Sequence, residues 1–180
     1  MQELIGGLAL ASPIIAMWLY LLVERTETRV KESQMPWIIN VCRDDVKRGK
    51  HPISDHCMLI QIADPPGDFP EPKHKFTEVH QFQFLDVEED TEILDEEMRC
   101  SHEQANELVQ LLQHAIQNGM DVVVHCFMGW ARSGAVASIG EKIGFEYIGP
   151  GRGTNGCVYN RMSEAIDLLC PIQIQASDVD

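Results

Sequence analysis

Basic residues are scarce in this sequence: 14 Lys and Arg stand against 28 Asp and Glu, for a formal net charge of -14. A general nucleic-acid binder draws its affinity from clustered Lys and Arg, so the composition speaks against that class. Metal-ligand spacing is missing as well. The six cysteines are scattered, no CxxC pair occurs and no His-rich run accompanies them, so no zinc site is expected. They read as free thiols of a reducing compartment rather than as a disulfide framework. The Gly-rich stretch GPGRGTNG at 149–156 lacks the strand before and helix after that a nucleotide fingerprint needs, so it reads as a connection. At 180 residues the chain has room for one domain with a real core and none for a second full one.

Charge is absent altogether from residues 4–23, LIGGLALASPIIAMWLYLLV. At about 1.5 Å per residue a helix of this run reaches about 30 Å, the thickness of a bilayer's hydrocarbon core. Trp18 and Tyr20 lie towards its C-terminal end, where aromatic rings favour the interface, and Pro13 is tolerated in a membrane helix. Arg25, Arg29 and Lys31 follow the run and no Lys or Arg precedes it, which places the rest of the chain on the cytoplasmic side. The expectation is a membrane anchor. The competing reading is a helix packed on the domain or on a partner, in a soluble cytoplasmic protein. A signal peptide fits less well, since a basic n-region and a small-residue cleavage site are both missing. Residues 24–34, ERTETRVKESQ, form a charged linker, so the chain divides into 1–34, a domain over 35–172 and an acidic tail over 173–180.

Within the domain, Trp37 to Val41, Met58 to Ala63 and His80 to Leu85 carry the apolar or alternating pattern of strands. The polar segment between the first two reads as a loop, and DPPGDFPEP at 64–72 is a Pro-rich loop that continues neither neighbour. Residues 86–97, DVEEDTEILDEE, hold eight acids in twelve and read mostly as a solvated loop. Ser101 and Gln104 make a capping-box pattern at the start of an amphipathic helix that closes at Gly119. His102 and His114 read as surface residues. A last amphipathic helix covers Val158 to Leu169. Strands alternating with helices predict an α/β fold with a central, mostly parallel sheet flanked by helices, preceded by the N-terminal apolar helix.

The chemistry concentrates in VVVHCFMGWARSG, from Val122 to Gly134. Val122 to Val124 predict a buried strand that delivers His125 and Cys126, and Ala135 to Ile143 predict a helix. Five residues, Phe127, Met128, Gly129, Trp130 and Ala131, separate Cys126 from Arg132. If they curl so that Cys126 and Arg132 meet, their backbone N–H groups point inward and the helix adds its positive end, which makes a site for a phosphate-sized dianion. A thiol in such a field is stabilised as the nucleophilic thiolate. Arg132 offers a planar fork for two phosphoryl oxygens, Gly129 permits angles closed to other residues, and Ser133 can donate to the departing sulfur.

His125, Cys126, Gly129, Arg132 and Ser133 lie in the register of the His-Cys-x-x-Gly-x-x-Arg-Ser/Thr signature, and in this the chain resembles the cysteine-based protein tyrosine phosphatases, most closely their small dual-specificity branch. The resemblance implies a strand, phosphate loop and helix at the active site, a phosphocysteine intermediate and no metal or organic cofactor. It also implies a general acid on a loop upstream of the nucleophile. Asp86, at a strand end, is the first candidate; Asp90 is almost as good, and Asp95 follows. Asn155 is a candidate buttress of the phosphate loop. The neutral residues of the loop favour a phosphoprotein, phosphotyrosine first and phosphoserine or phosphothreonine second, over a highly anionic lipid head group. The acidic loop favours neutral or basic flanks. Two other readings stay open: a phosphatase of RNA 5′-phosphates or phosphoinositides, and a tethered phosphopeptide-binding module without turnover.

Overall fold

Five short strands, each rich in β-branched or long apolar residues, line up in one direction. In the computed structural model, which describes residues 35–87 and 98–169, they are β1 (Trp37–Cys42), β2 (Cys57–Ala63), β3 (Glu78–Gln83), β4 (Asp121–Cys126) and β5 (Glu146–Tyr147). They form a single sheet in the order β3-β2-β4-β1-β5, and all pairs are parallel. The helices are α1 (Arg43–Arg48), α2 (His102–Gln117), α3 (Ala131–Ile143) and α4 (Gly156–Leu169). The sheet is thus parallel throughout the described residues.

Strand periodicity sorts the core onto two faces. Ile38, Met58, Ile60, Ile62, Val122, Val124 and Cys126 join residues of α2, α3 and α4 in the larger cluster. Ile39, Val41, Leu59 and Val123 face the other way, against Val46 of α1 and the partly buried Trp37 and Phe76. Burial on both faces explains why VVV and MLI read as continuous apolar runs instead of alternating.

Several boundaries move from their sequence expectations. The segment after β1, expected as a loop, opens with α1, whose first turn carries Asp44 and Asp45 and whose last carries Lys47 and Arg48, matched to the helix dipole. It ends on Gly49 at φ 66°, a left-handed angle that suits glycine. The third strand runs over Glu78–Gln83, two residues earlier than expected, because its partner β2 sets the register from Met58↔Glu78 to Ala63↔Gln83. β5 was too short to register as a pattern. The capping box of α2 is formed as expected, with Gln104 N donating to Ser101 Oγ at 3.1 Å and Ser101 N donating to Gln104 Oε1 at 3.0 Å. His102 and His114 lie on the surface, with side chains 61% and 48% exposed.

The run 4–23 lies outside the described residues, as do Asp90, Asp95 and the tail. Among the described residues no helix is long and apolar enough to cross a membrane. What the sheet does for the site is directional. With every strand parallel, all five C-terminal ends open onto one edge, the edge where α/β sheets hold ligands.

Candidate functional site

Each strand delivers one part of the site at that edge. β4 ends in Cys126, which is 2% exposed and lies 3.2 Å from Ser133 Oγ. The chain then turns through Phe127 to Trp130 and enters α3. The expected helix start at Ala135 is four residues late: α3 begins at Ala131, so Arg132 and Ser133 belong to its first turn. The first-turn N–H groups of a helix have no partner within it, and here no side chain caps them and no acidic residue lies in the first turn. That end of α3 is left open to an anion.

The turn itself depends on Gly129, which sits at φ 69°. A Cβ there would lie 2.3 Å from Cys42 N and 2.3 Å from the Val41 carbonyl carbon, so the loop passes directly over the end of β1. Asn40, buried in β1, donates to the Gly129 carbonyl at 2.8 Å and to the Gly151 carbonyl at 3.2 Å. Tyr147 on β5 donates to Asn40 Oδ1 at 2.6 Å and accepts from Gly151 N at 3.2 Å. The carbonyl of Gly129 is thereby turned toward Asn40, and the Gly-rich connection at 149–153 is tied down. Trp130, 55% exposed, packs against Gly153, where a Cβ would meet its ring. Phe127 and Met128 are also exposed, at 54% and 71%, so three apolar side chains rim the mouth.

Arg132 is 3% exposed and its nitrogens are unequally occupied. One terminal nitrogen, Nη1, donates to Asp64 Oδ1 at 2.6 Å and to the Phe84 carbonyl at 2.6 Å. Nε is buried without a hydrogen-bond partner among the described residues. Asp86, beyond β3, brings Oδ2 to 3.9 Å from that Nε. Its other oxygen accepts from Asn155 Nδ2 at 2.7 Å, and the same amide donates to the Val87 carbonyl at 2.9 Å. Asn155 Oδ1 meanwhile accepts from Val158 N at 2.9 Å, which caps α4, and its own N–H reaches the Ala131 carbonyl at 3.1 Å. Expected as a brace of the phosphate loop, Asn155 turns its side chain to Asp86 and Val87 and touches the turn after Cys126 only through its backbone, at Ala131.

No family model matches the chain, and no curated protein matches it.

His125 is 1% exposed, and its Nδ1 lies 3.4 Å from the carbonyl of Cys126, not its sulfur. Burial lowers its pKa to about 4, with Arg43, Arg132 and His51 pushing the same way, so the ring is neutral at pH 7. The thiols of Cys57 and Cys100 go the other way: burial pushes each up to about 12, which keeps them protonated and inert.

The fold therefore gathers Cys126, Arg132, Ser133 and Asp86 at one edge, with His125 beneath them. Asp64 was missed. It stands immediately after β2 in DPPG, and a lone Asp opening a Pro-rich turn carries no pattern of its own. The available signal was its place at the C-terminal end of a buried strand. Asn155 had a second signal, since an Asn just before an amphipathic helix is a preferred N-cap.

Proposed function

We propose that this chain is a cysteine-dependent phosphatase of phosphoproteins, acting on phosphotyrosine and, second, on phosphoserine or phosphothreonine. The observation that carries the reading is the convergence, on one uncapped helix N-terminus, of the Cys126 sulfur with an arginine whose Nε is uncommitted. Asp64 and the Phe84 carbonyl occupy Nη1, so Arg132 is held from one side and offers its remaining donors to two phosphoryl oxygens.

The Cys126 thiolate attacks phosphorus, the bond to the substrate oxygen breaks, and Asp86 gives that oxygen its proton. The loop amides, the first turn of α3 and Arg132 stabilise the equatorial oxygens. Water then attacks the phosphocysteine while Asp86 takes its proton; the sulfur–phosphorus bond breaks, inorganic phosphate leaves, and Ser133 donates to the returning thiolate. His125 orients the loop through the Cys126 carbonyl. The uncharged run 4–23, followed by Arg25, Arg29 and Lys31, supports an anchored enzyme working on the cytoplasmic side.

The test is hydrolysis of p-nitrophenyl phosphate and of a phosphotyrosyl peptide by the full chain in detergent, with chelator present. Wild type turns over both, Cys126→Ser neither, and Arg132→Lys lowers kcat by about 100- to 1,000-fold. Peptide binding by wild type without turnover would overturn the enzyme and leave a binding module.

A further inference from the structure

The Gly129–Trp130 peptide lies in the turn that leads from Cys126 into α3, and side chains from β1 and β5 set its orientation. Asn40, 1% exposed in β1, donates from Nδ2 to the Gly129 carbonyl at 2.8 Å and to the Gly151 carbonyl at 3.2 Å. Its Oδ1 accepts from the Tyr147 hydroxyl at 2.6 Å, and that hydroxyl accepts in turn from Gly151 N at 3.2 Å. Both ends of the buried amide are therefore engaged, and the Tyr147 proton decides which end faces the turn. Tyr147 is held in its own place by Arg152, whose guanidinium lies 3.9 Å from the ring centre and whose Nε donates to Ser138 Oγ of α3 at 2.8 Å.

A trans peptide points its N–H opposite to its C=O. Residues 129 and 130 are joined by such a bond, since the cis bond among the described residues is Pro65–Pro66. With the Gly129 carbonyl directed at Asn40, the Trp130 N–H faces away from β1. The outer side of the turn is the one that passes over Val41 and Cys42 and meets the 149–151 connection. The inner side holds the Cys126 sulfur and opens at the uncapped start of α3, where Trp130 is the N-cap residue. No backbone carbonyl among the described residues accepts from the Trp130 N–H, which suits it to an anion. Turned over, the same peptide would aim a carbonyl oxygen at the anion and an N–H at the Asn40 amide, donor against donor.

We infer that Asn40, oriented by Tyr147, is the positioning residue that holds the Gly129–Trp130 peptide with its N–H toward the phosphoryl group. The inference rests on the phosphatase reading above and deepens it: Asn40 touches no substrate atom and acts through the Trp130 amide, one of the donors to the equatorial oxygens. Asn40→Asp keeps the shape and puts an acceptor opposite two carbonyls, which favours the turned-over peptide. Tyr147→Phe removes only the hydroxyl that orients the amide.

The test uses the full chain in detergent, with p-nitrophenyl phosphate as substrate and inorganic phosphate as competing ligand. Asn40→Asp lowers kcat by about 100-fold, the loss that follows removal of one oxyanion donor, and raises the inhibition constant of phosphate by about tenfold. Tyr147→Phe moves both in the same direction by about three- to tenfold. The double variant is no worse than Asn40→Asp alone, because both changes act through one peptide. In isotope-labelled wild type, phosphate shifts the backbone amide resonance of Trp130, and in Asn40→Asp it does not. Wild-type kcat and phosphate affinity in both variants would overturn the inference. So would additive losses with an unchanged Trp130 response, the result expected if Asn40 only packs β1 against the 149–151 connection. Should Asn40→Asp not fold, Tyr147→Phe carries the test: weaker phosphate binding with a smaller Trp130 shift supports the inference, and wild-type values of both overturn it. Turnover by wild type without a Trp130 response to phosphate sinks this inference alone. A Trp130 response in a wild type that turns over no aryl phosphate sinks the phosphatase reading and leaves the assignment of Asn40 to the anion site standing.

Discussion

Asp64 and Asp86 flank the same guanidinium at different distances, and under the proposed function they would do different work. Asp64 sits 2.6 Å from Nη1, a charge-assisted bond that fixes the arginine. Asp86 stands 3.9 Å from Nε, with one oxygen on Asn155 and a side chain 43% exposed. Asp86→Asn should lower kcat on a phosphotyrosyl peptide by about 100-fold or more and cost far less on p-nitrophenyl phosphate, whose leaving group needs little protonation. Asp64→Asn should raise KM and lower kcat by about tenfold on both substrates alike, because a loosened Arg132 holds every phosphoryl group less well. Steady-state kinetics of the two variants on the two substrates separate the roles. If the substrate dependence appears with Asp64→Asn instead, the assignments are reversed.

At the scale of elements, the loop from Cys126 to Trp130 holds its shape through what surrounds it. Gly129 lies at φ 69° with the end of β1 beneath it, and its carbonyl is claimed by Asn40. Gly129→Ala should therefore cost about 100-fold or more in kcat/KM, since the added methyl pushes the loop off β1 and misplaces the amides by a good fraction of an ångström. A circular dichroism spectrum like that of wild type should accompany the loss, because the strand and helix on either side have their own packing. Retained activity in this variant would mean that the loop takes its shape without the close approach to β1. The same close fit recurs where α3 meets the 149–153 connection: a Cβ at Gly134 would lie 2.2 Å from the Gly153 carbonyl oxygen.

For the molecule as a whole, His125 makes stability depend on pH. Its pKa is about 4 when folded, against an ordinary value of about 6.5, so between those limits the unfolded chain binds a proton that the folded chain refuses. Stability from this group is complete above pH 6.5, falls as pH drops towards 4, and is flat below. The full drop is up to about 3 kcal/mol, at about 1.36 kcal/mol per pKa unit. Urea unfolding of wild type and His125→Asn at pH 7.5 and pH 4.5 checks this: wild type should lose more on acidification, and the difference between the two losses is the His125 contribution. Equal losses would show that the burial of His125 does not control the acid limb.

The sequence by itself determined the local elements that carry strong patterns. VVV before Cys126, the Ser101–Gln104 capping box and the apolar face of α2 each follow from propensity and period over neighbouring residues, and all three formed where they were expected. The spacing of Cys126, Gly129, Arg132 and Ser133 was legible for the same reason, because one loop and one helix turn hold them all. Only the tertiary structure decided which residues come to that loop from elsewhere. Asp64, Asp86, Asn155 and Arg43 reach it across separations of up to 84 residues, the distance from Arg43 to Phe127, because five parallel strands open their C-terminal ends on one edge. Strand order and register depend on how two faces of a sheet are buried at once, and no local pattern encodes that.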